Sequence, residues 1–216
     1  MKLLLGSQKG GPGKSTLATN FAIMLARQGR DVLLVDSDPQ RSAALWVALR
    51  ERAGLTPRIT CMSAYGELLY EEIDKLAPKF DDVVIDTAGH ASEELVSAML
   101  TADILVTPAE VALFSTATLG EMQRTIKKCR MHNRKLRALL VPNRISTHAT
   151  RGKSQLLRMA EAAENLTEFT LSESALSERV AYSEVLESGK TVVEGTDRKA
   201  ISEIEALFSE VQHVAR

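Results

Sequence analysis

Directly after the apolar run Leu3-Leu4-Leu5, the chain reads SQKGGPGKST from Ser7 to Thr16. A short strand, a glycine-rich turn and a helix opening on Lys-Ser-Thr make a cradle for phosphate. Backbone N–H groups of the turn and of the helix start point at the anion. Gly10, Gly11 and Gly13 permit backbone shapes and a close approach that side chains would block. Lys14 reaches the β- and γ-phosphates, and the Ser15 hydroxyl suits a Mg²⁺ site. The turn holds a second lysine, Lys9, five residues before Lys14. One lysine suffices for a phosphate, so the second requires a separate explanation.

The rest of the chain matches this start. DVLLVD (31–36), RITCMS (58–63), DVVIDT (82–87), DILVTP (103–108) and LRALLVPN (136–143) read as strands, most of them continuously apolar. That pattern fits parallel strands covered on both faces. Helical periodicity falls at 14–28, 41–53, 65–77, 92–101, 115–132 and 150–164, with a further strand at 166–171 and a helix near 177–186. A final helix over 197–214 lines up Ile201, Ile204, Leu207, Phe208, Val211 and Val214. The βαβα order predicts an α/β fold. Its sheet is doubly wound and mainly parallel, with helices on both faces and the ligand at the carboxyl ends of the strands. The 216 residues read as one domain over 1–216, with nothing ahead of the first strand.

Charge and cysteine usage exclude other classes. Lysine and arginine total 27 against 28 acidic residues, so overall charge favours neither nucleic acid nor membrane. Cys61 and Cys129 lie far apart with no CxxC context, which fits free thiols in a reducing, cytoplasmic setting. No apolar run is long enough to span a bilayer.

Two strands end in acids. VLLVDSDPQ supplies Asp36 and Asp38, and VVIDTAG supplies Asp86 and Gly89. Carboxylates at strand ends beside a phosphate cradle can hold Mg²⁺; alone, each could instead cap a turn.

The turn departs from GxxxxGK[ST], because Gln8 stands where the first glycine would fall. KGGPGKS instead resembles the deviant Walker A motif of the ParA/MinD family of ATPases, closest to small plasmid-partition ParA proteins without an N-terminal DNA-reading domain. DSDPQ is similar to that family's Walker A′ segment, and DTAG to its Walker B and switch turn. The resemblance implies ATP and Mg²⁺ as cofactors. It implies a cradle of Lys9, Gly10, Gly11, Pro12, Gly13, Lys14, Ser15 and Thr16, with catalytic roles for Lys9, Lys14 and Asp38. Lys9 would reach the nucleotide of the other subunit in an ATP-bound homodimer, and Asp38 would orient the attacking water. Ser15, Asp36 and Asp86 would belong to the magnesium shell. The Gly89 amide would meet the γ-phosphate, and Asn143 of VPNR the adenine. ERVAYSEVLESGKTVVE (178–194) is similar to the family's C-terminal segment.

The same resemblance implies slow ATP hydrolysis, plasmid segregation, non-specific DNA binding with nucleoid association, and a small ParB-like centromere-binding partner. Between Glu121 and Ala160 there are eleven basic residues and one acidic residue, Glu121. Lys127, Lys128, Arg130, Arg134, Lys135 and Arg151 are the candidate DNA contacts. A solvated helix face is the alternative for them. Three other readings stay open: an ATPase positioning another cargo, a MinD-like membrane-associated regulator, and a metabolic relative of iron-protein or synthetase type. A membrane role is opposed by Glu203, Glu205 and Glu210 on the last helix, which predict no stable membrane association.

Overall fold

A computed structural model describes the chain apart from Lys9, Gly10, Pro12, His90, Ala91, residues 112–116 and Arg216. Its elements follow the alternating order. They are β1 (Lys2–Leu5), α1 (Lys14–Arg27), β2 (Val32–Ser37), α2 (Ser42–Arg52), β3 (Thr60–Ser63), α3 (Leu69–Leu76), β4 (Asp82–Thr87) and α4 (Glu93–Thr101). Then come β5 (Ile104–Ala109), α5 (Ala117–Cys129), β6 (Arg137–Pro142), α6 (Ala149–Ala163), β7 (Thr170–Leu171), α7 (Ala181–Glu184) and α8 (Arg198–Val214). The strands form one seven-stranded sheet in the order β3-β2-β4-β1-β5-β6-β7, and every pairing is parallel. After β4 the chain crosses over β1 to continue as β5. The carboxyl end of β1 is therefore the switch point, where a doubly wound sheet leaves a crevice.

Strand alternation divides the apolar runs between two cores. Leu3, Leu5, Leu34, Val84 and Val106 pack with α1, α2 and α8. Leu4, Leu33, Val35, Ile85 and Leu105 pack with α3, α4 and α5. Parity then places Asp36, two residues beyond Leu34, and Asp86, two beyond Val84, on the face that carries α1. On that face Phe21 of α1 meets Phe208 of α8 with ring centroids 5.5 Å apart.

The last helix sits in this core. Ile204, Leu207, Phe208 and Val211 are buried, and Ile201 and Val214 pack against them. Two of its glutamates are internal ties. Glu203 accepts from Ser177 and from Arg179, at 2.8 Å in each case. Glu210 accepts from the Ser172 hydroxyl at 2.8 Å and the Ser174 N–H at 3.0 Å. These ties, with the Ile145–Ser177 bridge, hold residues 172–179 outside any helix. The helix expected near 177–186 is accordingly reduced to the single turn Ala181–Glu184. The strand expected at 166–171 contracts to Thr170–Leu171. The helix expected from 65 begins at Leu69, because Gly66 has φ +89° and turns the chain before it.

A buried ion pair fastens the segment ahead of α8. Arg50 of α2 is 1% exposed and meets Glu194 through two hydrogen bonds of 2.9 Å. Its remaining donors reach the Pro57 and Gly189 carbonyls at 2.9 and 3.1 Å. Gly189 has φ +70°, and a Cβ there would lie 2.5 Å from the Arg50 backbone nitrogen, so a side chain is excluded twice over. The GK.V segment is thus a packing device on α2. Breaking a buried pair leaves an uncompensated charge, so Glu194→Ala should destabilise the protein by about 3–5 kcal/mol in urea unfolding. An unchanged midpoint would show that Arg50 finds water instead.

Candidate functional site

In the turn between β1 and α1, two described glycines take the left-handed backbone that a phosphate cradle uses. Gly11 and Gly13 have φ +86° and +88°. A Cβ on Gly13 would approach Asn143 Nδ2 to 3.2 Å. Asn143, only 8% exposed, is therefore packed against the turn from the end of β6. Among the described residues no side-chain hydrogen bond caps the start of α1. Its first-turn N–H groups and the positive end of the helix are directed at the crevice. Lys9, Gly10 and Pro12 lie outside the described residues.

Lys14, the first residue of α1, is 6% exposed. Burial lowers its pKa, while the charges of Asp86 and Asp38 oppose that change. Asp36 and Asp86 are direct partners in the β2–β4 ladder. Neighbouring strands run about 4.8 Å apart, so the two carboxylates stand side by side on the α1 face. Asp36 is tied down: Oδ2 accepts from Ala44 N–H at 2.7 Å and Oδ1 from Asp38 N–H at 3.1 Å. Burial still raises its pKa. Asp38 accepts from Gln40 N–H at 2.9 Å and is half-buried at the crevice edge.

Asp86 is the unusual member. It is fully buried, and neither carboxylate oxygen has a hydrogen-bond partner of ordinary geometry among the described residues. Burial pushes its pKa up to about 7. The Ser15 hydroxyl and the Lys14 charge act against that, and Asp36 reinforces it. Buried acceptors without donors are costly unless something else satisfies them. A hard divalent cation does so, and the donor set fits Mg²⁺. Among the described residues no group of three or more His, Cys, Asp or Glu side chains is arranged to hold a metal unaided. Mg²⁺ takes one or two carboxylates and completes its shell with water and phosphate oxygens. Ser15, Asp36 and Asp86 can supply that protein share.

Gly89 lies half-buried in the turn after β4, close behind Asp86. The candidate DNA contacts do not form one group. Lys127 and Lys128 lie in the last turn of α5, and Arg134 and Lys135 lie exposed in the turn before β6, at the end of the sheet away from the crevice. Arg151 is exposed on α6, which follows the carboxyl end of β6. Arg130 is engaged internally: it pairs with Glu168 and donates to the Leu136 and Glu168 carbonyls at 2.9 and 3.1 Å.

Two features carry no motif. Asn20, fully buried in α1, donates to the Thr16 carbonyl at 2.7 Å and accepts from Val192 N–H at 3.0 Å. It couples the cradle helix to the Arg50–Glu194 segment. An amide at an apolar-face position of α1 is its only sequence signal. Arg41 and Arg144 both take positive φ, 54° and 53°, at carboxyl ends of the sheet. Arg144 N–H donates to Asn143 Oδ1 at 2.9 Å and its guanidinium to Glu110 at 2.8 Å; nothing in the sequence marks this strain.

Residues 3–192 match the CobQ/CobB/MinD/ParA nucleotide-binding domain family. Over 193 residues the chain is 31% identical to Protein ParA of Rhizobium radiobacter, covering 87% of this chain and 82% of that one. It is 26% identical to the maintenance of carboxysome distribution protein A of Halothiobacillus neapolitanus, covering 97% and 95%. Other curated relatives are longer, and the chain spans about half of one of them. The septum site-determining protein MinD of Pyrococcus horikoshii, solved with Mg-ADP, superposes with a TM-score of 0.71 at 20% identity, covering 99% and 96%.

The orphaned Asp86 leads to a stability test. A carboxyl with a raised pKa stabilises the fold while protonated. That contribution is complete below about pH 4 and is lost as pH rises towards about 7. Without nucleotide or metal, Asp86→Asn should therefore unfold at higher denaturant than the parent at pH 8, by about 1–4 kcal/mol, and show little difference at pH 4. A less stable variant at pH 8 would mean that the carboxylate is satisfied in the free protein.

Proposed function

Because this chain belongs to the CobQ/CobB/MinD/ParA family of nucleotide-binding domains, we propose that it is an ATPase that dimerises with ATP, binds DNA without sequence preference and segregates plasmid DNA. The observation that carries the nucleotide assignment is the buried Asp36–Asp86 pair beside Lys14 at an uncapped helix start. Two carboxylates with their pKa values raised by burial, next to a buried lysine, make a site whose charges lack their full complement. ATP and Mg²⁺ together complete it, and solved neighbours of this fold carry ADP, ATP or ATP analogues, several with magnesium. Bound Mg²⁺ would be held by Ser15, Asp36 and Asp86 and would neutralise charge on the β- and γ-phosphates.

The chain's own groups then have separable tasks. The turn from Lys9 to Thr16 holds the phosphate oxygens through backbone N–H groups other than at Pro12, which has none, and Lys14 holds them by charge. Gly89 donates its amide to the γ-phosphate. Asp38 orients the attacking water, since the Gln40 N–H fixes its carboxylate plane. Asn143, packed on Gly13, sets the floor on which the adenine rests. Lys9 reaches across to the partner's phosphates, which explains why this turn has two lysines: two nucleotides facing each other need positive charge between them.

Lys127, Lys128, Arg134 and Lys135 at one end of the sheet and Arg151 at the other are the DNA-facing candidates, while Arg130 is engaged by Glu168. A small centromere-binding protein of ParB type would stimulate turnover. A membrane-division role has less support, because the apolar stripe of α8 is buried in the core. Positioning of another cargo is the second reading, favoured by a carboxysome-distribution relative that covers nearly the whole chain. The test is DNA co-sedimentation with ADP, ATP and a slowly hydrolysed analogue, alongside light scattering. Wild type should pellet with DNA only when ATP-bound and dimeric. Asp38→Ala should remain trapped in that state without turnover. Lys9→Ala should bind ATP as a monomer with its dimer constant weakened about 10²- to 10³-fold. DNA binding that ignores the nucleotide would sink the partition reading, and a normal ATP-dependent dimer in Lys9→Ala would remove its trans role.

A further inference from the structure

Two exposed patches outside the phosphate-binding turn pair apolar side chains with opposite charge. The first joins the loop before α3 to the first turns of α4. Tyr65, Leu68 and Val96 are 44%, 60% and 40% exposed there. The loop is fixed on α4. Gly66 N–H donates to the Glu94 carboxylate at 3.0 Å. The Ser97 hydroxyl accepts from Tyr70 N–H at 2.9 Å and donates to the Glu67 carbonyl at 2.7 Å. Leu68 and Val96 are thereby held as neighbours on a built surface. Its rim is acidic: Glu67, Glu72 and Glu93 are exposed there, while Asp74 is tied to Lys2 and Thr101 at the far end of α3.

The second patch is the outer face of α6. Gly152 and Met159 bury the inner face. Lys153, Leu156, Leu157 and Ala160 recur at helical spacing on the opposite face and are exposed, Leu157 to 57%. Arg151 and Arg158 flank them, and Glu161 closes the far end. A solvated cationic face has no use for two adjacent leucines, and nucleic acid would not select them. An apolar surface with an acidic rim would.

The two patches sit over different halves of the sheet. α3 and α4 pack on the β2–β4–β1 half, and α6 packs with Leu140 and Ile145 at the β6 edge. One chain cannot bring them together, but two chains can. We propose that copies of this chain associate head to tail, the Lys153–Leu156–Leu157 face of α6 docking on the Tyr65–Leu68–Val96 patch of the next copy. The leucines fill the apolar centre while Lys153 and Arg158 meet the acidic rim. Such a contact is heterologous and repeats along a row unless its rotation closes a ring. It uses none of the phosphate-binding residues, so it is independent of the ATPase reading and forms without nucleotide. Exposed rim pairs are individually weak and screened by salt, so the association is weak and sensitive to ionic strength.

The experiment is sedimentation velocity of the nucleotide-free protein at low salt and at about 0.5 M salt. Wild type should gain mass with concentration past the dimer at low salt and revert to monomer at high salt. Glu67→Lys with Glu93→Lys, and separately Lys153→Glu with Arg158→Glu, should each weaken self-association at least about tenfold. Mixed in equal amounts, the two variants oppose an intact α6 face to an intact patch and a reversed face to a reversed patch, so the mixture should regain association past the dimer. The chain carrying all four changes should regain self-association. A wild type that stays monomeric, a variant that associates as wild type does, or a mixture that fails to associate would overturn the proposal. So would a result in which only the α6 variant differs and its defect is confined to DNA co-sedimentation.

Discussion

Asp36 and Asp86 are forced together by strand register. They are ladder partners in a fully parallel sheet, they share the α1 face by parity, and burial raises the pKa of both. Two adjacent buried carboxylates are unfavourable by themselves, and Lys14 offsets only part of that cost because burial lowers its own pKa too. The fold tolerates the arrangement because the rest of the structure holds it in place. Ala44 N–H and Asp38 N–H restrain Asp36, and the apolar residues preceding each aspartate in β2 and β4 are fully packed. Strain of this kind at a strand end is expected where a ligand supplies the missing charge.

The framework extends well beyond the crevice. Asn20 links α1 to Val192, and the same segment presents Glu194 to Arg50 of α2. The helix that starts at the cradle and the helix whose start is held by Asp36 are therefore fastened to one chain segment. α8 is buttoned to the loop after β7 through Glu203 and Glu210. Charge on α8 thus serves cohesion, where its sequence suggested only a solvent-facing side.

The alternating order, the parallel sheet and the acids at strand ends were legible in the sequence. They follow from local signals: continuous apolar runs, a glycine turn and helical periodicity. What was not legible depends on contacts distant in the chain. The fate of Arg130 rests on Glu168, and that of Gly189 on the backbone of Arg50. The extent of α7 depends on Glu203 holding Ser177 and Arg179. The positive φ of Arg41 and Arg144 has no residue-type signal, since both positions would ordinarily read as glycine or asparagine. The even spread of basic residues over 121–160 concealed their division between two ends of the sheet, because a sequence run does not show which way each helix points.

We propose that the orphaned Asp86 carboxylate is there to hold metal-bound nucleotide. It is tested most directly by calorimetric titration of ATP into wild type and Asp86→Asn, in Mg²⁺ and in EDTA. The wild type should bind ATP much more tightly with Mg²⁺ than without it. In Asp86→Asn that difference should shrink by at least about tenfold, since the ligand count for the cation falls. An Asp86→Asn protein that keeps the full magnesium dependence of ATP binding would show that Asp86 does not serve the cation.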